Sequence, residues 1–278
     1  MKQLIAKLGA AAIALGLVAA SAQAATEYPK KDPREQDWSF AGPFGTFDRA
    51  QLQRGLKIYV ENCSACHAMS LVPFRTLSDL GYSDDQIEAL AAQYEVEDGP
   101  DEFGDMFFRP ATPADTFPSP FPNEEAARAA NGGAYPPDLS LIAKARAPIR
   151  GFPAFVLDPF RMYAENGPDY IYSLLTGYEE EVPEDVTVPD GLWYNPYFAS
   201  GVALAMAQPL YPDMHEFDDG TPATVSNMSK DIAAFLMWAA EPNMEERKEL
   251  GFRVMVFLLI FAALLYLTKK QVWSRLDH

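Results

Sequence analysis

The run Cys63-Ser64-Ala65-Cys66-His67 constrains this chain more than any other part of it. Two thiols three positions apart, followed at once by an imidazole, match the C-x-x-C-H pattern of covalent haem attachment: the thiols bond the porphyrin's two vinyl groups and the histidine lies under the iron as proximal ligand. Three other readings compete. A redox dithiol belongs in a βαβ context that the pattern lacks, and a zinc site wants a second Cys or His pair. The only other histidines are His215 and His278, far apart in sequence, and there is no third cysteine. A simple disulfide leaves His67 without a task. Covalent haem is the reading carried forward, with Cys63 and Cys66 as thioether links.

Both ends of the chain are written for a membrane. Residues 1–24 carry Lys2 and Lys7, an apolar run over 8–20 and the small-x-small tripeptide Ala22-Gln23-Ala24, which together read as a secretory signal cleaved after Ala24. An uncleaved anchor is the alternative, but the run is short and Ala-rich. Residues 250–268 hold one charge, Arg253, whose stem can snorkel, so this stretch is long enough to span a bilayer. Lys269, Lys270 and Arg275 follow against Asp277 alone, with Trp273 at interfacial depth, so the positive-inside rule predicts a cytoplasmic tail. The expected organisation is a cleaved signal (1–24), an exported haem domain (25–249), a membrane helix (250–270) and a cytoplasmic tail (271–278).

The whole chain carries −17, from 39 acidic and 22 basic residues. Setting aside Lys2, Lys7, Arg253, Lys269, Lys270, Arg275 and Asp277 leaves 38 acidic and 16 basic residues on the exported part, about −22. Such a surface repels phosphate backbones, so nucleic acid is excluded as a partner, and it attracts cations. Acid runs fall at 95–105, 179–185 and 213–219. Each reads as a solvated face, or as part of a docking surface for a basic soluble cytochrome c that must arrive and leave quickly.

Helices are expected at about 48–61, 84–95, 123–130, 167–175, 226–240 and 250–270, with little strand pattern. The fold class is mainly α, a cytochrome c-like haem domain with long irregular loops plus one C-terminal transmembrane helix. Leu52, Leu56, Tyr59 and Val60 line one face of the first helix behind the N-cap Asp48, and Gly55 within it predicts close approach of another element. Met228, Ile232, Phe235, Leu236 and Ala239 line a face near the other end of the domain, a candidate partner for that approach. Residues 97–122 read as too polar and too broken by proline for a core element, and 147–168 as a second Pro- and Gly-rich excursion.

A carrier of electrons wants both axial positions of its iron filled. Met206, in an apolar, proline-punctuated stretch, is the favoured distal ligand, and His215 is the alternative. Met–His ligation raises the potential relative to two histidines.

The blocks Asn131 to Arg146, Tyr170 to Tyr178, Trp193 to Phe198, Ala205-Met206-Ala207, Glu216 to Thr224 and Trp238 to Pro242, in that order, resemble the cytochrome c1 family, the haem subunits of cytochrome bc1 complexes, in its bacterial form. The resemblance implies Cys63 and Cys66 as thioether links, His67 and Met206 as axial ligands, Arg146 and Tyr170 at the haem propionates, and Asn131 and Pro137 in the haem pocket. It implies electron relay from the Rieske iron–sulfur protein to a soluble or anchored cytochrome c, within a complex with cytochrome b, dimeric, in the inner membrane with the haem domain periplasmic. A free-standing membrane-anchored shuttle is the alternative, and a haem enzyme or sensor with an open iron site is a further one. Some bacterial relatives carry a second cysteine pair bracing the distal loop; this chain has none, so the Met206 loop is expected to be held by packing of Tyr194, Tyr197 and Phe198.

Overall fold

The computed structural model describes residues 30–149, 151–153, 156, 166–179, 181–184 and 186–274. The signal expected over 1–24, much of the 147–168 excursion and the last four residues of the predicted tail lie outside them. In chain order the regular elements are α1 (Arg49–Ile58), β1 (Met69–Pro73), α2 (Asp84–Ala91), β2 (Glu95–Asp98), β3 (Phe107–Pro110), β4 (Thr116–Phe117), α3 (Glu124–Ala130), α4 (Ile142–Ala145), α5 (Asn166–Thr176), β5 (Trp193–Tyr194), β6 (Ala203–Leu204), α6 (Val225–Ala240) and α7 (Met244–Trp273). Helix dominates, as expected, and the strands form three separate two-stranded antiparallel pairs, β1–β4, β2–β3 and β5–β6.

The centre of the domain is α6. Thr224 caps it by accepting the Asn227 amide at 3.1 Å, and Pro242 follows its end. Its burial is not confined to the predicted stripe. Ile232, Ala233, Ala234, Phe235, Met237 and Trp238 are all nearly inaccessible, so α6 is covered on several sides over its C-terminal half, which is apolar all round over 232–240. Each large side chain buried there contributes about 1.5–3 kcal/mol.

α1 crosses α6 at Gly55. A Cβ at that position would stand 2.4 Å from the Asp231 carbonyl oxygen and 2.5 Å from Phe235 Cβ, so only glycine lets the two backbones meet. Beside the crossing, Arg54 grips the Asp231 carboxylate with two nitrogens, Nε at 2.6 Å and a terminal nitrogen at 2.9 Å, and reaches Asp219 at 2.5 Å. The Asp231 side chain is only 3% exposed, so the fork offsets the cost of burying its charge.

Past Ile58 the helix does not stop but widens into a π-helical turn, Tyr59–Cys63, which carries the chain into the Cys63–His67 segment. Such widenings recur at functional sites.

The 97–122 segment corrects the sequence reading. β2 and β3 pair in register from Glu95 opposite Pro110 to Asp98 opposite Phe107. Beyond them Phe117 is 1% exposed, packed in an aromatic cluster with Tyr59, Phe74 and Tyr94. Acids crowd the hairpin's tip and hide a core strand that follows. The membrane helix also differs from expectation: α7 starts at Met244, which is 1% exposed within the domain, rather than at 250.

Candidate haem-binding site

The attachment segment is a tight turn. The amides of Cys66 and His67 both donate to the Cys63 carbonyl, at 3.1 and 2.9 Å, which brings the two thiols and the imidazole onto one coil of chain. Neither cysteine is in a disulfide; Cys63 packs against the core and Cys66 is exposed. Burial, reinforced by Cys66, pushes the Cys63 thiol up to about 12. A catalytic dithiol needs the opposite, a thiolate favoured near neutral pH.

His67 is oriented from outside its own turn. Its Nδ1 lies 2.8 Å from the Pro137 carbonyl. A carbonyl only accepts, so Nδ1 carries the proton and Nε2 keeps a lone pair for a metal, the arrangement that fixes metal-binding histidines generally. Burial pushes the imidazole below its ordinary range, partly opposed by the Pro137 bond and Asp138, so it is neutral at pH 7. Two further contacts hold the frame: Leu139 N donates to Ala68 O at 2.8 Å, and Asp138 accepts from the Ser70 hydroxyl at 2.6 Å. Burial raises the Asp138 carboxyl, but the bonds from Ser140 and Ser70 outweigh it and hold it below the usual range. The Tyr59 hydroxyl reaches the His67 carbonyl at 3.2 Å, tying the π-turn to the same point.

The distal loop is built without a disulfide. Tyr178 donates to the Met206 carbonyl at 2.9 Å. Asn62, the residue before Cys63, donates to the Pro209 carbonyl at 3.2 Å, joining the loop to the attachment turn directly. His215 Nδ1 meets Glu61 of the π-turn at 2.7 Å, and Lys57 reaches the Glu216 carbonyl at 2.7 Å. At the loop's base the fully buried Asn195 donates to the Leu174 carbonyl at 2.7 Å and accepts from Tyr197 N at 3.1 Å. Gly177 makes room for it: a Cβ there would lie 2.6 Å from the Asn195 oxygen. Tyr194, within β5, pairs with Ala203, and Tyr197 stacks under Arg34 at 4.8 Å and accepts from its Nε at 2.7 Å. Hydrogen bonds to the loop backbone, more than the aromatic packing expected, therefore brace Met206.

Arg146 and Tyr170 do come together. They line one cleft of about 350 Å³ with Lys30, Lys31 and Tyr197. Tyr170 is buried, accepts from Ala199 N at 3.3 Å and lies close enough to Arg146 and to Tyr178 to feel both electrostatically. Asn131 donates from Nδ2 to the Ala127 carbonyl at 2.7 Å, closing the end of α3. Pro137 acts through its carbonyl rather than its ring. Asn62, Tyr178 and Asn195 carry no pattern of their own in the sequence; their positions beside Cys63, Gly177 and Pro196 become meaningful only once the partners are in space.

A neutral imidazole with a free Nε2, two unpaired thiols on the same coil and a thioether on a loop tied to that coil fit a covalently bound haem. With α7 behind it, the site defines a membrane-anchored c-type haem protein. The chain matches the cytochrome C1 family over residues 38–276. It is 56% identical over 275 residues to the cytochrome b/c1 of Bradyrhizobium diazoefficiens, a match covering 95% of this chain and 40% of that longer protein. It is 44% identical over 259 residues to cytochrome c1 of Rhodospirillum rubrum, covering 88% of each, and 46% identical over 237 residues to the mitochondrial cytochrome c1 heme protein of Saccharomyces cerevisiae, covering 85% of this chain and 71% of that one. The chain belongs to the cytochrome c1 family: it carries a covalent c-type haem and is an electron-transfer subunit of the bc1 type.

Proposed function

We infer that this chain relays one electron from the Rieske iron–sulfur protein to a cationic c-type cytochrome, in a dimeric membrane complex with cytochrome b. The His67–Pro137 contact of 2.8 Å carries this reading, because it presents a neutral, correctly oriented nitrogen beside the two thiols. Bound here, haem supplies a one-electron redox centre. Cys63 and Cys66 would hold it by thioether bonds, and His67 and Met206 would supply a nitrogen and a sulfur to its iron. Elimination among the other methionines supports Met206. Met69, Met228, Met237 and Met244 are buried core. Met214 already accepts from Tyr211 N at 3.0 Å, and Met106 lies exposed on the β2–β3 hairpin. Met255 is in the membrane helix, and Met162 lies outside the described residues. His215 is the alternative ligand; its Nδ1 is engaged with Glu61 of the π-turn at 2.7 Å, which fastens the loop to that turn.

Arg146 would hold a haem propionate by its guanidinium fork and Tyr170 by its hydroxyl, while Pro137 orients His67 through its carbonyl and Asn131 closes the end of α3 beside the 132–137 segment that leads to Pro137. The signal over 1–24 delivers the domain to the periplasm, 25–249 folds there, 250–270 spans the inner membrane and 271–278 remains in the cytoplasm. A free shuttle is disfavoured because α7 runs out of the domain with no linker. A redox-titrated visible spectrum of the purified complex tests the assignment. A high-potential haem with the weak thioether-to-ferric-iron band is expected, and Met206→Leu should lose the band and lower the potential while the haem stays attached. An unchanged band in that variant overturns Met206.

A further inference from the structure

Four contacts lock the first turns of α7 to the loop at 40–47. Glu245 accepts from Phe47 N at 2.6 Å. Lys248 donates to the Phe40 carbonyl and to the Gly45 carbonyl, the latter at 3.4 Å. The Phe44 and Phe252 rings meet edge to face at 5.4 Å. The loop itself cannot slacken around Gly45, where a Cβ would strike the Ala41 carbonyl oxygen at 2.1 Å. Yet Phe44, at the tip, is 70% exposed, an apolar ring held out from a rigid turn.

The depth of that ring follows from the helix. The stretch 250–268 has 19 residues, about 28 Å at 1.5 Å per residue, against a hydrocarbon core of about 30 Å, so it has almost no slack. Lys269 and Trp273, in contact at 5.2 Å, fix the far end at the opposite interface. Phe252 therefore lies about 3 Å inside the near boundary, and the Phe44 ring, its centre 5.4 Å from that of Phe252, lies within that distance of the same level. Irregular backbone is not tolerated in lipid unless its polar groups are satisfied. Lys248 satisfies two of the loop's carbonyls and places its charge at headgroup depth. An apolar tip backed by a cation is the chemistry of a segment seated in the bilayer interface.

We propose that the 42–46 loop, with Phe44 at its tip, is a second membrane contact that seats the haem domain directly on the lipid surface beside α7. The domain is thus fixed by two points, a spanning helix and an interfacial foot, and its height and tilt above the bilayer are set.

The test uses the full-length, haem-loaded chain in phospholipid nanodiscs. Because haem consumes Cys63 and Cys66, Phe44→Cys supplies the chain's single free thiol for a nitroxide label. Collision with oxygen, which concentrates in lipid, is compared with collision with a water-soluble nickel chelate, using Phe103→Cys on the exposed β2–β3 hairpin as the aqueous reference. The proposal expects an oxygen-to-nickel ratio severalfold above that reference. A ratio equal to it means the loop is in water and overturns the proposal, as does a label shielded from both reagents, which means protein covers it. Pro43→Cys, which leaves the Phe44 ring in place, provides the same reading if the first variant folds poorly. The haem spectrum reports the axial ligands separately, so failure here leaves the electron-transfer assignment untouched.

Discussion

Single side chains in this protein act mostly by fixing backbone that lies near the haem ligands. Asn195 is the clearest case: fully buried, it serves the Leu174 carbonyl and the Tyr197 amide, one on α5 and one on the chain leading to Met206. Asn195→Ala leaves both unsatisfied, and since each buried orphan costs about 1–3 kcal/mol, thermal denaturation should show a loss of about 3 kcal/mol. His215 tests a different function. Its bond to Glu61 fastens the far end of the distal loop to the π-turn, so His215→Phe, which keeps the ring's bulk against Phe217, should weaken the thioether band at ordinary temperature while leaving haem attachment complete. An unaltered band would show that Tyr178 and Asn62 suffice.

Among the elements, the α1–α6 crossing has the least tolerance. Gly55→Ala forces a methyl into the Asp231 carbonyl, and with backbone on one side and Phe235 on the other, relief requires the helices to separate. Overpacking of this kind costs about 1–3 kcal/mol, visible as a lowered denaturation midpoint. Because α1 continues into the attachment turn, the haem spectrum of that variant should shift too. Arg54→Ala strips the fork from an almost inaccessible Asp231, leaving Gln51 at 3.2 Å as a remaining donor, and a loss of about 3 kcal/mol is expected. Arg54 was not distinguishable from any surface arginine by sequence spacing, since its two carboxylates lie far along the chain.

For the molecule as a whole, charge and anchoring divide the work. On the proposed reading, a domain at about −22 steers a cationic acceptor, and steering of this kind fades as salt shortens the Debye length from about 30 Å at 0.01 M to about 8 Å at 0.15 M. The second-order rate of electron transfer to a basic cytochrome c should fall about tenfold over that range; a rate independent of salt would remove steering from the account. The contacts of α7 with the 40–47 loop hold the helix and the domain together as one piece.

Local sequence was sufficient wherever the chemistry is local. Cys63, Cys66 and His67 are neighbours on the chain, so their task was legible without coordinates, as were the capped helices, the glycine at the crossing and the apolar stretch of α7. Met206 was singled out by composition and by family resemblance, and the structure adds the Tyr178 bond to its carbonyl. What the sequence left open were relations between segments far apart: the Pro137 carbonyl that sets the His67 tautomer, the Asn62, Tyr178 and His215 bonds that brace the distal loop without a disulfide, the core strand concealed by acidic and proline-rich neighbours, and the early start of α7 inside the domain. Periodicity and motif spacing report contacts within about one turn or one strand. A hydrogen bond across a hundred residues has no such signature, because it depends on the packing that brings its two ends together.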